Sequence, residues 1–202
     1  MSGLPILVEG TALRALVVGG GAVAARKAGA LAAVGASVRV VAVAAGDDMR
    51  ALADANRLTL EERAYIAGDI ADALLVVAAT NDRAVNADVA AHARAANRLV
   101  NVADLPDSGS FATMAAHRAG SLVIGVSAGG VPGAAARIRD AIALRFDGRY
   151  ARAIGRLAEL RRALLDRHDA AAWRALSTEV LDARFCDAVE QGALDARVEP
   201  WR

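Results

Sequence analysis

The chain has 202 residues, a formal net charge of +1 and 55% apolar residues, a composition typical of an α or α/β globular protein. The balanced charge does not favour a nucleic-acid-binding protein, and the single cysteine, Cys186, excludes a disulfide framework and a CxxC metal site. The N-terminal residues lack the regions of a signal peptide, and no uncharged apolar stretch reaches the ~18 residues of a membrane span. We therefore expect a cytoplasmic protein that binds neither membrane nor nucleic acid.

Residues 14–43 have the pattern of a βαβ unit. "RALVV" is a short apolar strand that stops at glycine, "AVAARKAGALAAVGA" is an alanine-rich helix, and "SVRVVAV" is a second apolar strand. Two strands joined by a helix run parallel and are buried on both faces, which explains their uniformly apolar character.

The alternation of strand and helix continues to Asp104. We predict strands over residues 58–63, 74–80 and 99–104, and helices over residues 46–57 and 82–98. Asp47 and Asp48 are expected to cap the first of these helices, and Asn81 or Asp82 the second. Alternation of this kind predicts an α/β fold with a doubly wound parallel sheet.

The alternation of strands and helices ends after Asp104. The turn formers "LPDSGS" are followed by two apolar segments, 111–118 and 121–128, that predict an antiparallel hairpin. A helix over 134–146 ends near Gly148, and the rest of the chain predicts short amphipathic helices over residues 151–168, 171–185 and 187–194. We expect boundaries near residues 112 and 148, so that the segments are 1–112, 113–148 and 149–202.

Gly19, Gly21 and Ala24 form a G-x-G-x-x-A pattern between the first strand and the first helix. The first glycine permits a tight turn, the second admits a pyrophosphate to the main chain, and the small third residue lets the helix pack on the strand. The helix N-terminus then offers free N–H groups to the phosphates. Because the pattern lies inside a βαβ unit, it predicts a dinucleotide site, with a ligand-free glycine turn as the alternative.

The end of the second strand lacks the acidic residue that commonly binds the ribose hydroxyls, since the strand ends at Val43. No arginine follows closely in the sequence, so a 2′-phosphate has no evident partner. The pattern therefore favours NAD over NADP.

Several motifs, taken in order, resemble a known family. They are "LPI" at residues 4–6, "VVGGGAVAARK" at 17–27, "AAT" at 78–80, Asn86, "VNVAD" at 100–104, Phe111 and "SAGG" at 127–130. Together these resemble the precorrin-2 dehydrogenase and sirohydrochlorin ferrochelatase family, which forms the N-terminal module of siroheme synthase. The resemblance covers roughly residues 4–145.

The resemblance implies a fold and a reaction. The expected fold is an NAD-binding Rossmann domain, a small dimerisation region and a helical C-terminal domain. The expected reaction is the oxidation of precorrin-2 to sirohydrochlorin with NAD as hydride acceptor, and some members of the family also insert Fe²⁺ into the product. The partner would then be a polyanionic tetrapyrrole.

Asp104 follows the fifth strand, at the sheet edge where ligands of open α/β sheets bind. The resemblance assigns the catalytic carboxylate to this position, where it is suited to general-base catalysis. The alternative is an aspartate that caps the following turn.

We expect the cofactor to contact the glycine turn and the ends of three further strands. The candidate residues are Gly19, Gly20, Gly21, Ala22, Val23, Val43, Ala44, Thr80, Asn81 and Asn101. Asn81 is also a candidate helix cap, and Asn101 is also suited to orienting the loop that carries Asp104. The three histidines have no metal-ligand spacing, so no resident metal is expected.

Residues 137–167 contain nine arginines and four acidic residues. Arg149, Arg152 and Arg156 fall on one helical face, where they would attract a polyanion. The alternative is a solvated face with ion pairs to Glu159 or Asp166. Binding of RNA or DNA is disfavoured because aromatic residues are only 3% of the chain.

The apolar hairpin leaves strand edges that invite pairing with another chain, so we predict a homodimer through residues 111–147. Two other functions compete with precorrin-2 oxidation. One is a non-catalytic NAD-sensing regulatory Rossmann domain, and the other is a dehydrogenase of a different substrate.

Overall fold

A computed structural model describes residues 3–201. The first part of the chain is a sheet of five strands: β1 Arg14–Val18, β2 Ser37–Ala42, β3 Thr59–Glu62, β4 Leu75–Ala78 and β5 Leu99–Val102. The strand order is β3-β2-β1-β4-β5 and every pair is parallel. The helices between them are α1 Ala22–Ala32, α2 Asp47–Asp54 and α3 Arg83–Ala95. The predicted Rossmann-type parallel sheet is therefore confirmed.

The sheet is buried on both faces. On one face, alanines of α1 and Met49 of α2 pack against Val17, Val40 and Val77. On the other face, Val89 and the alanines of α3 pack against the alternate residues of the same strands. The strands β2 and β3 extend the sheet to one side of β1, and β4 and β5 extend it to the other. The strand order therefore reverses between β1 and β4, and this switch point places a crevice at the carboxyl ends of the strands.

Two helices that flank this sheet begin with different types of N-cap residue. Asp82 caps α3, since its side chain accepts hydrogen bonds from the N–H groups of Ala84 and Val85. The capping role predicted for Asp47 and Asp48 is wrong, because Gly46 is the N-cap of α2 and both aspartates lie in the first turn. There their charges face the positive end of the helix dipole.

The second part of the chain is a hairpin followed by helices. β6 Ala115–Ala119 and β7 Leu122–Val126 pair antiparallel, with His117 opposite Ile124, which confirms the predicted hairpin. The helices are α4 Pro132–Arg145, α5 Gly148–Asp166, α6 Ala170–Val180, α7 Phe185–Glu190 and α8 Leu194–Val198. Short 3₁₀ turns cover Gly10–Ala12, Ala67–Ile70, Pro106–Ser108 and Glu199–Trp201.

Two predicted helices of the second part are wrong in their bounds. The helix predicted over residues 171–185 ends at Val180, because Asp182 accepts a hydrogen bond from the N–H of Arg184 and closes a turn. The helix predicted over residues 187–194 is two helices, α7 and α8, separated at Gly192, where φ is +72°.

The chain divides into two compact units, one ending at Thr113 and the other beginning at Met114. The second unit has a core of its own, built on Tyr150 and on leucines and valines of α5 to α8. Among residues 3–201, no helix combines the length and apolar character that crossing a membrane requires.

Candidate functional site

The glycine turn after β1 runs so close to its neighbours that side chains are excluded. Gly19 has a φ of +127°, and a Cβ added to it would lie 2.3 Å from the carbonyl oxygen of Ala79. A Cβ on Gly20 would lie 2.1 Å from the carbonyl oxygen of Ala44. The main chain therefore passes between the end of β4 and the end of β2, a path open only to glycine at these two positions.

Gly21 is different, because a Cβ at this position would meet nothing within 4 Å. It is the N-cap of α1, with an ordinary extended conformation at φ −79°. Ala22 and Val23 open the helix and are exposed, whereas Ala24 is fully buried against the sheet. The open space above Gly21 is where an approaching phosphate would lie.

The N-terminus of α1 has neither a capping side chain nor an acidic residue in its first turn. In contrast, α3, α5 and α6 each begin with an aspartate whose side chain accepts from the first turn. The first N–H groups of α1 are thus left for an external acceptor, and the dipole there favours an anion.

Val43 and Ala44 lie beside the glycine turn. They follow β2, Val43 is 80% exposed, and the loop is tied down by a hydrogen bond of 2.9 Å from the N–H of Gly46 to the carbonyl of Gly20. The structure therefore brings together the residues predicted around the glycines and those predicted at the end of the second strand.

A carboxylate and an arginine that the sequence argument missed lie at this loop. Glu62, the last residue of β3, is paired in register with Ala42 of β2, and its Oε2 accepts from the N–H of Ala45 at 3.2 Å. Arg50 donates to the same carboxylate at 2.8 Å and to the carbonyl of Ala45 at 3.2 Å. No arginine follows the end of the second strand closely in the sequence, but α2 returns Arg50 to the loop in the structure.

A second cluster lies where β4 and β5 end. Asn86 of α3, only 2% exposed, accepts from the N–H of Thr80 at 3.0 Å and donates to the carbonyl of Thr80 at 3.1 Å. Its Nδ2 also donates to Oδ1 of Asp104 at 2.9 Å. Thr80 and Asp104, predicted from separate motifs, are thus joined through Asn86. In the sequence, Asn86 was indicated only by its position in the pattern of the family.

Among the described residues, none donates a hydrogen bond to Oδ2 of Asp104. Its side chain is 32% exposed, and the nearest cation to Oδ2 is Nε of Arg83 at 3.6 Å, on a side chain that is 89% exposed. The turn after Asp104 is closed by main-chain hydrogen bonds, from Ser108 to Leu105 and from Ser110 to Val100. The hydrogen bond that orients Asp104 therefore comes from α3 and not from the turn.

Asn101 and Asn81 lie outside the Asp104 cluster. Asn101 of β5 is 8% exposed and donates to the carbonyl of Phe111 at 3.0 Å, while its Oδ1 is buried without a hydrogen-bond partner in the described structure. A buried acceptor of this kind is suited to a ligand N–H. Asn81 is exposed next to Thr80, and the cap of α3 is Asp82.

A buried ion-pair network lies away from both clusters, between β2, β3 and the turn at residues 67–70. Asp69 is 3% exposed and accepts from Arg63 at 2.6 Å and from Arg39 at 3.0 Å. The guanidinium of Arg63, followed by the N–H of Ile66 and by Arg39, holds the pKa of Asp69 well below its usual range, against the opposing effect of burial. This network joins β2 to the β3–β4 connection and is structural.

The predicted arginine stripe of the second unit borders a cavity of about 750 Å³ between α5, α7 and α8. Arginines and carboxylates line it in equal number: Arg149, Arg152, Arg156, Glu159, Glu190 and Asp195. Arg156 pairs with Asp195 at 3.3 Å, and Arg149 pairs with Asp147 at 3.0 Å. Two of the three arginines of the stripe are thus ion-paired, with acidic partners other than the two predicted.

Within residues 3–201, no group of three histidine, cysteine, aspartate or glutamate side chains lies close enough to hold a metal ion.

The comparisons with known proteins show the family of the chain. Residues 6–115 match a family model described as "Putative NAD(P)-binding". The chain belongs to this NAD(P)-binding family. The matched segment includes the glycine turn, the Asn86 cluster and Asp104, so the candidate site lies entirely within it.

The relatives of this family member are siroheme synthases. The chain is 38% identical over 162 residues to the siroheme synthase of Methylococcus capsulatus, covering 80% of this chain and 34% of that protein. It is 36% identical over 198 residues to that of Pseudomonas entomophila, covering 98% of this chain and 41% of that protein. The chain thus spans well under half the length of these relatives. The resemblance found in the sequence motifs is confirmed.

A solved structure titled "SirC, precorrin-2 dehydrogenase" has the same fold. The TM-score is 0.77, with 98% of both chains covered, at 24% sequence identity. The high coverage extends the agreement in fold to the hairpin and to the helices of the second unit.

Proposed function

We propose that this protein oxidises precorrin-2 to sirohydrochlorin, with NAD as hydride acceptor. The observation that carries the proposal is the Asp104 carboxylate, held by Asn86 at the carboxyl edge of a dinucleotide-binding sheet with its side chain 32% exposed. The siroheme synthase relatives and the fold of the precorrin-2 dehydrogenase support the same substrate.

The residues present fit a dinucleotide. Gly21 leaves open space at the uncapped N-terminus of α1, so the N–H groups of Ala22 and Val23 are suited to the pyrophosphate. Val43 and Ala44 would border the adenosine, and the unfilled Oδ1 of Asn101 is suited to an N–H of the nicotinamide carboxamide. Thr80 and Asn81 would lie beside the nicotinamide ribose.

The reaction removes a hydride and a proton from the reduced macrocycle. NAD, when bound, would supply the acceptor for the hydride. The proton requires a base, and Oδ2 of Asp104 takes it, since Oδ1 is occupied by the amide of Asn86. Asp104 then releases the proton to solvent, which its partial exposure allows. The products are sirohydrochlorin, NADH and a proton.

We propose that the cofactor is NAD rather than NADP, because of the charged side chains beside the end of the second strand. In dinucleotide-binding sheets this position contacts the ribose hydroxyls, commonly through an acid, and an arginine there accommodates a 2′-phosphate. Here β3 supplies a carboxylate, Glu62, and the same carboxylate occupies the guanidinium of Arg50. A 2′-phosphate would meet the negative charge of Glu62 and an arginine that is already paired.

We also propose a homodimer formed through residues 111–147. In α4 only Ala135 is buried, and Ile138 and Leu144 are 47% and 83% exposed. Val131, the N-cap residue of α4, is 58% exposed. Light scattering at micromolar concentration should report a dimer. Leu144→Arg should give a monomer, whereas Leu181→Arg, at a 44% exposed leucine outside the segment, should not. A monomeric wild-type protein would contradict the proposal.

The test of function is the appearance of sirohydrochlorin absorbance from precorrin-2 under anaerobic conditions, with NAD⁺, with NADP⁺ and without cofactor. We expect turnover with NAD⁺ and formation of NADH in equal amount. Binding of NAD⁺ without turnover would favour the regulatory sensor, and oxidation of a different substrate only would favour the third function. Adding Fe²⁺ to the product tests metal insertion separately.

A further inference from the structure

Asn86 is a buried polar residue with no direct part in the chemistry proposed above. It lies in the second turn of α3, 2% exposed, and does not reach the surface of the crevice. Its amide makes four hydrogen bonds: from the N–H and the hydroxyl of Thr80 to Oδ1, at 3.0 and 2.8 Å, and from Nδ2 to the carbonyl of Thr80 and to Asp104, at 3.1 and 2.9 Å. Its capacity for hydrogen bonds is fully used.

The orientation of this amide is dictated by the main chain of Thr80. A peptide N–H only donates and a peptide carbonyl only accepts, so Oδ1 must face the N–H of Thr80 and Nδ2 must face its carbonyl. The second N–H of Nδ2 is then left pointing at Oδ1 of Asp104. The end of β4, a rigid part of the sheet, thereby fixes a hydrogen-bond donor toward the end of β5.

We propose that Asn86 is a positioning residue for the Asp104 base. By holding Oδ1, it fixes the rotation of the carboxylate and presents Oδ2 toward the crevice, where the substrate proton is taken. The inference rests on the proposed function, because it assumes that Asp104 is the base. In the chemical step Asn86 acts through Asp104, since its four hydrogen bonds to Thr80 and Asp104 leave no polar group free for the substrate.

The first test is Asn86→Ala, assayed for precorrin-2 oxidation. A misplacement of about 1 Å in a reacting group costs up to ~100-fold in rate, so we expect kcat to fall by about 10- to 100-fold. The KM for NAD⁺ should change by less than kcat, because the glycine turn is untouched and only Thr80 of the cofactor site loses its contacts with Asn86. Asn86→Asp is the second variant, since it keeps the volume and the acceptor for Thr80 but faces Asp104 with a carboxylate, and the same loss is expected.

The matched control is Val89→Ala, on the same helix and fully buried against the sheet. It removes packing without touching the Asp104 cluster, so it should lower the Tm and leave kcat unchanged. If Asn86→Ala lowers the Tm like Val89→Ala and keeps the wild-type kcat, Asn86 is structural and the inference is overturned.

A double-mutant cycle separates this inference from the proposed function. If Asn86 acts through Asp104, the kcat of Asp104→Asn/Asn86→Ala equals that of Asp104→Asn alone, whereas losses that multiply show that Asn86 acts independently and contradict the inference. If Asp104→Asn keeps a near wild-type kcat, Asp104 is not the base and the proposed mechanism is wrong. A deficient Asp104→Asn beside a fully active Asn86→Ala overturns the positioning role only.

Discussion

The carboxyl edge of the sheet has two halves that are built in opposite ways. The glycine half, residues 19–23 and 43–45, offers main-chain groups. Side chains are excluded at Gly19 and Gly20, where an added Cβ would lie 2.3 and 2.1 Å from a carbonyl oxygen. The polar half, Thr80, Asn86 and Asp104, is a network of side chains whose hydrogen bonds are satisfied within the protein except at one carboxylate oxygen.

The difference separates binding from chemistry. Main-chain N–H groups at a helix start hold an anion without titrating, so the glycine half can hold a cofactor at any ordinary pH. A carboxylate fixed at one oxygen can take a proton at the other, which the glycine half lacks the groups to do. Substitutions in one half should therefore change cofactor affinity, and those in the other should change rate.

The largest effect is expected at Asp104. Asp104→Asn keeps the shape of the side chain but removes the base, and loss of general-base catalysis costs about 10²- to 10⁴-fold in rate. Steady-state assays should show this loss in kcat with the Kd for NAD⁺ unchanged by calorimetry. Asp107→Asn, in the following turn, is the control and should be silent. A folded Asp104→Asn enzyme with near wild-type kcat would remove the base from the mechanism.

The second largest effect, a loss of NAD⁺ affinity, is expected in the glycine half. Gly21→Asp keeps an allowed conformation and a favourable capping residue, so the fold should survive. Its charge would oppose the pyrophosphate by up to ~4 kcal/mol at an effective dielectric constant of about 20, so NAD⁺ affinity should fall by about 100- to 1,000-fold. Calorimetry on Gly21→Ser, an uncharged capping residue, isolates the charge. Equal affinities for the two variants would show that the phosphates lie elsewhere.

Asp69 lies outside both halves, so its loss should change stability and neither binding nor rate. Asp69→Asn breaks a buried ion pair whose arginines are about one third exposed, and we expect about 3 kcal/mol of lost stability, the lower end for such a change. The pKa of Asp69 is lowered in the fold, so its contribution is present above the ordinary aspartate pKa of about 3.9 and is lost as the pH falls below it.

Thermal unfolding of the wild type and of Asp69→Asn across pH measures this contribution. The gap in Tm should be full at pH 7 and should narrow below about pH 4. A gap that is constant down to pH 2 would show that the charge of Asp69 is not what stabilises the fold.

The smallest effect is expected at Glu62, at the border of the glycine half. Glu62→Gln removes a charge opposite the end of β2 and frees Arg50, so affinity for NADP⁺ should rise by about tenfold, ~1.4 kcal/mol, with NAD⁺ little changed. The gain should disappear in Glu62→Gln/Arg50→Gln. Unchanged NADP⁺ binding in the single variant would show that the adenosine ribose does not approach this pair.

The sequence by itself determined what depends on short stretches of chain. The apolar strands, the glycine turn, a cap at Asn81 or Asp82 and the hairpin are local patterns, because burial on both faces, left-handed backbone and capping are set by residues within a few positions of each other. Asp104 was placed at the correct sheet edge for the same reason, as the residue that follows the last strand.

Only the tertiary structure decided which side chains meet. Glu62 reaches the loop after β2 through the register of β2 with β3, and Asn86 reaches Asp104 because α3 packs beside the ends of β4 and β5. Arg156 of α5 is paired with Asp195, an arrangement that depends on how α8 returns. Hydrogen bonds and ion pairs act over a few ångströms between residues distant in sequence, so no local pattern encodes them.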